Sequence, residues 1–265
     1  MSTRTVSPNR ILVSNDDGIN APGLEVLEAI ASELSDEVWV VAPETEQSGA
    51  GHSLTLTQPI RLRQLDERKF AVQGTPTDCV MMAVNHIMKD SLPTLLLSGV
   101  NRGANMAEDV TYSGTIAAAM EGTLAGIPSI ALSQAIRPPA RARWDTARHY
   151  ATGVVQALIA EGWSEQVLMN VNFPAYPVEE VQGVRVTEQG RRDLVGLVVE
   201  ERTDTRGFPY YWFGLSREVG RPGHETDLKT VRDGWISVTP LHLDLTHQAT
   251  LAGLADGLNK SFQKT

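Results

Sequence analysis

The stretch ILVSNDDGINAPGL, residues 11–24, passes from an all-apolar run through an acidic turn into the start of a helical pattern. Residues 11–13 read as a buried strand that ends in the polar turn at 15–18. A helix is predicted over 22–34, with Pro22 suited to its first turn and Leu24, Leu27, Ile30, Ala31 and Leu34 on one stripe. Residues 38–42 form the next apolar run, closed by Pro43. A strand, a helix and a strand in this order imply a right-handed parallel crossover, so the fold class is α/β.

The same alternation continues outward. Short strands are predicted at 60–65 and 70–73, then a helix that Thr75 caps, Pro76 opens and Asp78 favours, running to about residue 88. An apolar strand at 94–98 leads into a long loop over 99–114. A small-residue helix follows at 115–125, with Gly126 placed to end it. A strand at 127–133, a helix at 146–161 and a strand at 167–171 complete the order a doubly wound, mostly parallel sheet requires. After Pro177 the pattern changes to strands and turns at 184–187, 195–199, 208–213 and 236–240, with a helical tail near 251–258. Residues 1–177 are therefore expected to form the catalytic core, and 178–265 a β-hairpin-rich extension. The aromatic run at 208–213 suits either a subunit contact or an ordinary hairpin core.

The chain has 265 residues, enough for one large α/β domain, and no apolar stretch approaches a membrane span. The opening MSTRTVSPNR lacks the apolar segment of a secretory signal, so export is not expected. One cysteine, Cys79, excludes an internal disulfide and a thiolate zinc site, which fits a cytoplasmic location. A net charge of -9 argues against binding nucleic acid duplexes, because that needs a basic surface to displace counterions.

In an open parallel sheet the ligand site lies outside the carboxyl ends of the strands, so the loops there carry the chemistry. The first is Ser14-Asn15-Asp16-Asp17-Gly18. Adjacent carboxylates beside a core repel each other, and a cation between them relieves this; a solvated turn with Asp17 as a helix cap is the plainer alternative. The second loop, residues 43–53, offers the hydroxyl of Ser48, with Gly49 and Gly51 allowing close backbone approach to a ligand. The third holds Asn101, whose amide oxygen suits a hard cation. It ends in Ser113-Gly114-Thr115, where hydroxyls and backbone N–H groups meet at a helix start and suit a phosphoryl group. Mixed oxygen donors of this kind favour Mg2+ or Mn2+ over zinc. The six histidines show no metal-ligand spacing.

These motifs, with VVAPETEQSGAGHSLT, GTPTDCV, LLLSGVNRGANMAEDVTYSGTIAAAMEG and GWISVTPLHLDLT, resemble the stationary-phase survival protein SurE family of nucleotidases across nearly the whole chain. The resemblance implies a Rossmann-like three-layer core and a carboxyl-terminal β-rich part used in homodimer or homotetramer assembly. It also implies one divalent cation per subunit held by Asp16, Asp17, Ser48 and Asn101, the two aspartates being catalytic. Asn105, Ser113, Gly114 and Thr115 would face the phosphate, with Asn15 and Gly49 completing the substrate-binding set. The activity implied is hydrolysis of nucleoside monophosphates as a 5'-nucleotidase, with 3'-nucleotidase and exopolyphosphatase activities as extensions. Thr77 stands where the family pattern has alanine.

Other readings weigh less. A phosphatase class with a second aspartate two positions after the first meets Gly18 here. A phosphorylation receiver domain needs a late-strand lysine, and no lysine lies between Lys89 and Lys229. A non-catalytic nucleotide-sensing module on the same fold remains open, since fold alone does not set function.

Overall fold

β1 (Ile11–Ser14) runs through the middle of a nine-stranded sheet, with β2 (Val38–Pro43) parallel on one side and β5 (Leu95–Arg102) parallel on the other. The computed structural model describes residues 6–137, 142–192, 194–218 and 225–261. Beyond β2 lie β4 (Lys69–Gln73), parallel, and β3 (Arg61–Asp66), antiparallel at the edge. Beyond β5 come β6 (Ser129–Gln134) and β7 (Val167–Phe173), both parallel. The sheet is completed by β11 (Ile236–His242), antiparallel to β7, and by β8 (Val184–Val186).

Alternation along the central strands sends side chains to two separate cores. Ile11, Val13, Leu95 and Leu97 pack on α1 (Pro22–Leu34) and α4 (Trp144–Glu161). Leu12 and Leu96 face the opposite way, onto α2 (Pro76–Met82) and α3 (Gly114–Leu124). The result is three layers, helices on both faces of a mostly parallel sheet, as expected from the strand and helix order. The chain steps from β1 to β2 on one side and later returns to β5 on the other. The strand order therefore reverses between β1 and β5, and the carboxyl ends of strands at such a switch point are where open α/β sheets seat ligands.

Three elements differ from expectation. The strand predicted at 94–98 continues to Arg102, because a bulge between Ser98 and Asn101 lets it re-pair with β6, Asn101 opposite Ser133. Gly99 permits this: its φ is +133° and a Cβ there would stand 2.2 Å from the Leu132 carbonyl oxygen. The helix begun at Pro76 passes into a π-helical turn, Ala83–Ile87, before it stops.

The third difference concerns the carboxyl-terminal part. β9 (Leu194–Thr203) and β10 (Pro209–Glu218) pair as a separate antiparallel hairpin, the expected β-rich extension. β8 and β11 instead join the main sheet, where Ile236 and Val238 enter one core and Leu241 the other. A short helix, α5 (Asp227–Arg232), precedes β11 and was not foreseen, and the tail helix α6 spans Gln248–Ser261. Among the described residues no helix is long and apolar enough to cross a membrane.

Candidate functional site

The turn after β1 is closed locally and pinned from outside. Asn15 Nδ2 donates to the Gly18 carbonyl at 3.0 Å, and Gly18 takes a φ of +101°. The following loop packs tightly on this turn. Gln47 N–H donates to the Asp16 carbonyl at 2.8 Å, and a Cβ on Gly18 would lie 3.2 Å from the Thr45 carbonyl carbon. The first two expected loops are thus one structure.

The carboxylates of Asp16 and Asp17 turn to different neighbours. Asp16 is only 4% exposed and accepts the Thr115 hydroxyl from the first turn of α3. A Cβ on Gly114 would stand 2.8 Å from Asp16 Cβ and 2.9 Å from Pro76 Cγ, so only glycine lets the helix start come this close. Asp17 is half-buried and accepts the Arg102 backbone N–H at 3.0 Å, from the end of β5.

Burial governs their ionisation. It pushes the Asp16 carboxyl up to about 6, opposed by the Thr115 hydroxyl and reinforced by the charge of Asp17. Asp17 is also raised by burial, against the Arg102 N–H, and the negative charge of Glu46 adds to the rise. Carboxylates held this way gain from a nearby positive charge.

Ser48 is exposed on the adjoining loop, its hydroxyl donating to Glu46 Oε1 at 2.8 Å rather than to either aspartate. Asn101 is half-buried on β5, and its Nδ2 donates to the Gly103 carbonyl at 2.9 Å. Its amide oxygen, the atom a hard cation takes, accepts no hydrogen bond among the described residues. Three further oxygens cluster near the β1 and β5 ends. Asn15 Oδ1, Ser14 Oγ and Ser98 Oγ are buried without a partner, Ser14 lying opposite Ser98 in the sheet. A buried oxygen without a donor is costly, and a cation-bearing crevice is a place where it costs less. Two carboxylates with amide and hydroxyl oxygens fit a hard divalent ion.

The start of α3 uses its hydroxyls locally. Ser113 Oγ accepts the Ile116 N–H at 3.1 Å as the helix cap, and Thr115 is committed to Asp16. The Thr115 backbone N–H also bonds to the Asp16 carboxylate, which leaves the Gly114 N–H as the donor at this helix end without an intrahelical acceptor. Asn105 is buried, with its Nδ2 donating to Ser133 Oγ at 2.9 Å.

Several contributing residues escape a linear reading. Asn170 and Asn172 on β7 hold both ends of the Asn105 backbone: Asn105 N–H donates to Asn172 Oδ1, and the Asn105 carbonyl accepts both side-chain amides. Two asparagines at period two within an otherwise apolar strand were the available signal. Glu46, exposed on the second loop, adds its negative charge to the surroundings of Asp17 and accepts the Ser48 hydroxyl. Among the described residues no three His, Cys, Asp or Glu side chains converge as a metal cluster. His52 pairs instead with Glu121 at 3.0 Å, and His224 lies outside the described residues.

Similarity to known proteins bears on the family and on the fold. The family described as "Survival protein SurE" matches residues 11–195. A protein of Parvibaculum lavamentivorans named 5'-nucleotidase SurE is 59% identical over 251 residues, covering 94% of this chain and 91% of that protein. One of Caulobacter vibrioides with the same name is 57% identical over 245 residues, 91% of this chain and 93% of its own length. The crystal structure of the SurE protein from Aquifex aeolicus superposes with a TM-score of 0.80 at 38% identity, covering 94% of this chain and 99% of that one.

Proposed function

This chain belongs to the survival protein SurE family, and from that premise we propose that it is a divalent-metal-dependent 5'-nucleotidase, hydrolysing nucleoside monophosphates to nucleoside and phosphate. The observation that carries the reading is the buried Asp16 carboxylate seated directly on the amino end of α3. A group that attracts a cation and a helix end that attracts an anion share one crevice, which suits a metal–phosphate pair.

Asp16, Asp17, Ser48 and Asn101 would hold one Mg2+ or Mn2+ through oxygen atoms, the donor chemistry such ions prefer. When bound, the ion supplies charge neutralisation at the phosphoryl group and lowers the pKa of water. Asp17, more open than Asp16, orients the attacking water and takes its proton, with Asp16 as its alternate in that role. The water oxygen bonds to phosphorus as the bond to the nucleoside oxygen breaks. The Gly114 N–H, with Asn105, Ser113 and Thr115, stabilises charge on the equatorial oxygens. Asn15 and Gly49 shape the substrate side of the crevice. Because this machinery addresses the phosphoryl group rather than a base, 3'-nucleotides and the ends of short polyphosphates are further substrates of the same site. A homodimer or homotetramer in the cytoplasm is the setting we propose. The exposed apolar side chains of the β9–β10 hairpin support self-association.

The test is phosphate release from a panel of nucleoside monophosphates with Mn2+ or Mg2+, with and without chelator. Release that chelator abolishes and added metal restores is expected. Tight nucleotide binding with no release would favour a sensor, and a stable phospho-Asp16 or phospho-Asp17 would replace direct water attack by a covalent route.

A further inference from the structure

We infer that Asp227 is a positioning residue for the phosphate-facing loop, acting on Asn105 from the carboxyl-terminal part of the chain without touching substrate. The inference deepens the nucleotidase reading and rests on it for its choice of loop.

Asp227 opens α5 and is fully buried. Its Oδ2 accepts the Ala107 N–H at 2.9 Å, and its Oδ1 accepts the N–H groups of Gly190 at 2.8 Å and Leu228 at 2.7 Å. A Cβ on Gly190 would lie 2.6 Å from Asp227 Oδ1, so the backbone closes on the carboxylate as on a fixed centre. Ala107 is a non-glycine residue with a φ of +52°, a left-handed conformation that costs about 1 kcal/mol. Asp227 holds the N–H side of this residue, and Gln189 Nε2 holds its carbonyl at 2.8 Å.

The neighbours of Ala107 are tied to the same segment. Arg192, 9% exposed, donates to the Met106 carbonyl at 3.2 Å and to Asp109 Oδ2 at 2.6 Å, while its backbone N–H reaches Glu108 Oε1 at 3.1 Å. Residues 106–109 therefore owe their placement to side chains arriving from 189–192 and 227. Asn105 precedes this clamp by one residue and leads on to Ser113. A carboxylate collecting three N–H groups cannot be replaced by an amide without setting an N–H donor against another donor.

The experiment uses the full chain with saturating Mn2+ and compares wild type, Asp227→Asn and Gln189→Ala. Measured are nucleoside monophosphate hydrolysis, inhibition by inorganic phosphate, Mn2+ affinity by calorimetry and the circular dichroism spectrum. Asp227→Asn is expected to lower kcat about 30-fold and weaken phosphate inhibition about 10-fold. Mn2+ affinity should stay within about twofold, since Asp16, Asp17, Ser48 and Asn101 lie outside the clamped segment. Gln189→Ala should move the same quantities in the same direction by about 3-fold. A folded Asp227→Asn protein with wild-type kcat would overturn the inference, as would Mn2+ binding lost in step with kcat. If Asp227→Asn fails to fold, Gln189→Ala decides, and unchanged kcat and phosphate inhibition would overturn it. Should wild type release no phosphate at all, the nucleotidase reading fails. Direct phosphate binding to the same proteins then judges the clamp, which an equal affinity in wild type and Gln189→Ala would overturn.

Discussion

Gly114 stands against Asp16 with no space for a side chain between them: a Cβ there would lie 2.8 Å from Asp16 Cβ and 3.1 Å from its Oδ2. Asp16 can meet the amino end of α3 only because position 114 carries hydrogen alone. Gly114→Ala is therefore expected to displace the carboxylate or the helix start, destabilising the protein by about 1–3 kcal/mol. Turnover should fall at least about 10-fold, because the displaced groups are those we assign to metal and phosphate. Thermal unfolding and steady-state kinetics check both parts, and an unaltered kcat would separate this contact from catalysis.

Asp17→Asn should lower turnover by about 100-fold or more while leaving the far-ultraviolet spectrum unchanged. Asp17 is half-buried and bonded to the Arg102 N–H, so an amide oxygen can keep that bond while the charge we assign to the ion is lost. Calorimetric titration with Mn2+ should show the weakened affinity directly. Turnover close to wild type would remove Asp17 from the catalytic set.

The raised Asp16 carboxyl has a consequence for stability in the metal-free protein. Its value in the folded chain is about 6, against 3.8 unperturbed. The folded state therefore binds the proton more tightly than the unfolded state. The associated stability is fully present below about pH 4 and is lost as pH rises through about 6, a change on the order of 3 kcal/mol. Denaturant unfolding of wild type and Asp16→Asn in chelator should converge below pH 4, with the variant the more stable at pH 7. Added Mn2+ should raise the melting temperature of wild type at pH 7 and do so far less in the variant.

The β9–β10 hairpin exposes Val198, Val199, Phe208, Tyr211, Trp212 and Phe213, with Phe213 73% open to solvent. Apolar area of this kind on an isolated hairpin calls for a partner surface. Trp212→Ser combined with Phe213→Ser should reduce the assembled mass measured by light scattering, without loss of the core's circular dichroism signal. An unchanged mass would remove this hairpin from self-association.

Much of the fold was legible because it is written locally. The runs at 11–13 and 38–42 are apolar at every position, Pro22 and Pro76 mark helix starts, and Thr75 with Asp78 forms the predicted cap reciprocally. The extension of β5 through Asn101 was not legible, since the bulge depends on how closely Gly99 meets the Leu132 carbonyl on the next strand. The place of β11 within the main sheet was hidden for a similar reason. Its period of apolar residues states that it is a strand, but not which strand it joins.

The candidate site divides in the same way. Residue identities supply the kinds of groups available: paired carboxylates after the first strand, a serine followed by glycine, an asparagine and a helix start rich in hydroxyls. Which of those groups stay free depends on the contacts made when the chain folds. Thr115 is committed to Asp16, Ser113 to its own helix, and the loop carrying Asn105 is held by Asn170, Asn172 and Asp227 from elements distant in sequence. Residue type follows from covalent chemistry and is visible in one dimension. Burial, hydrogen-bond partners and the resulting carboxyl pKa depend on which surfaces the folded chain brings into contact.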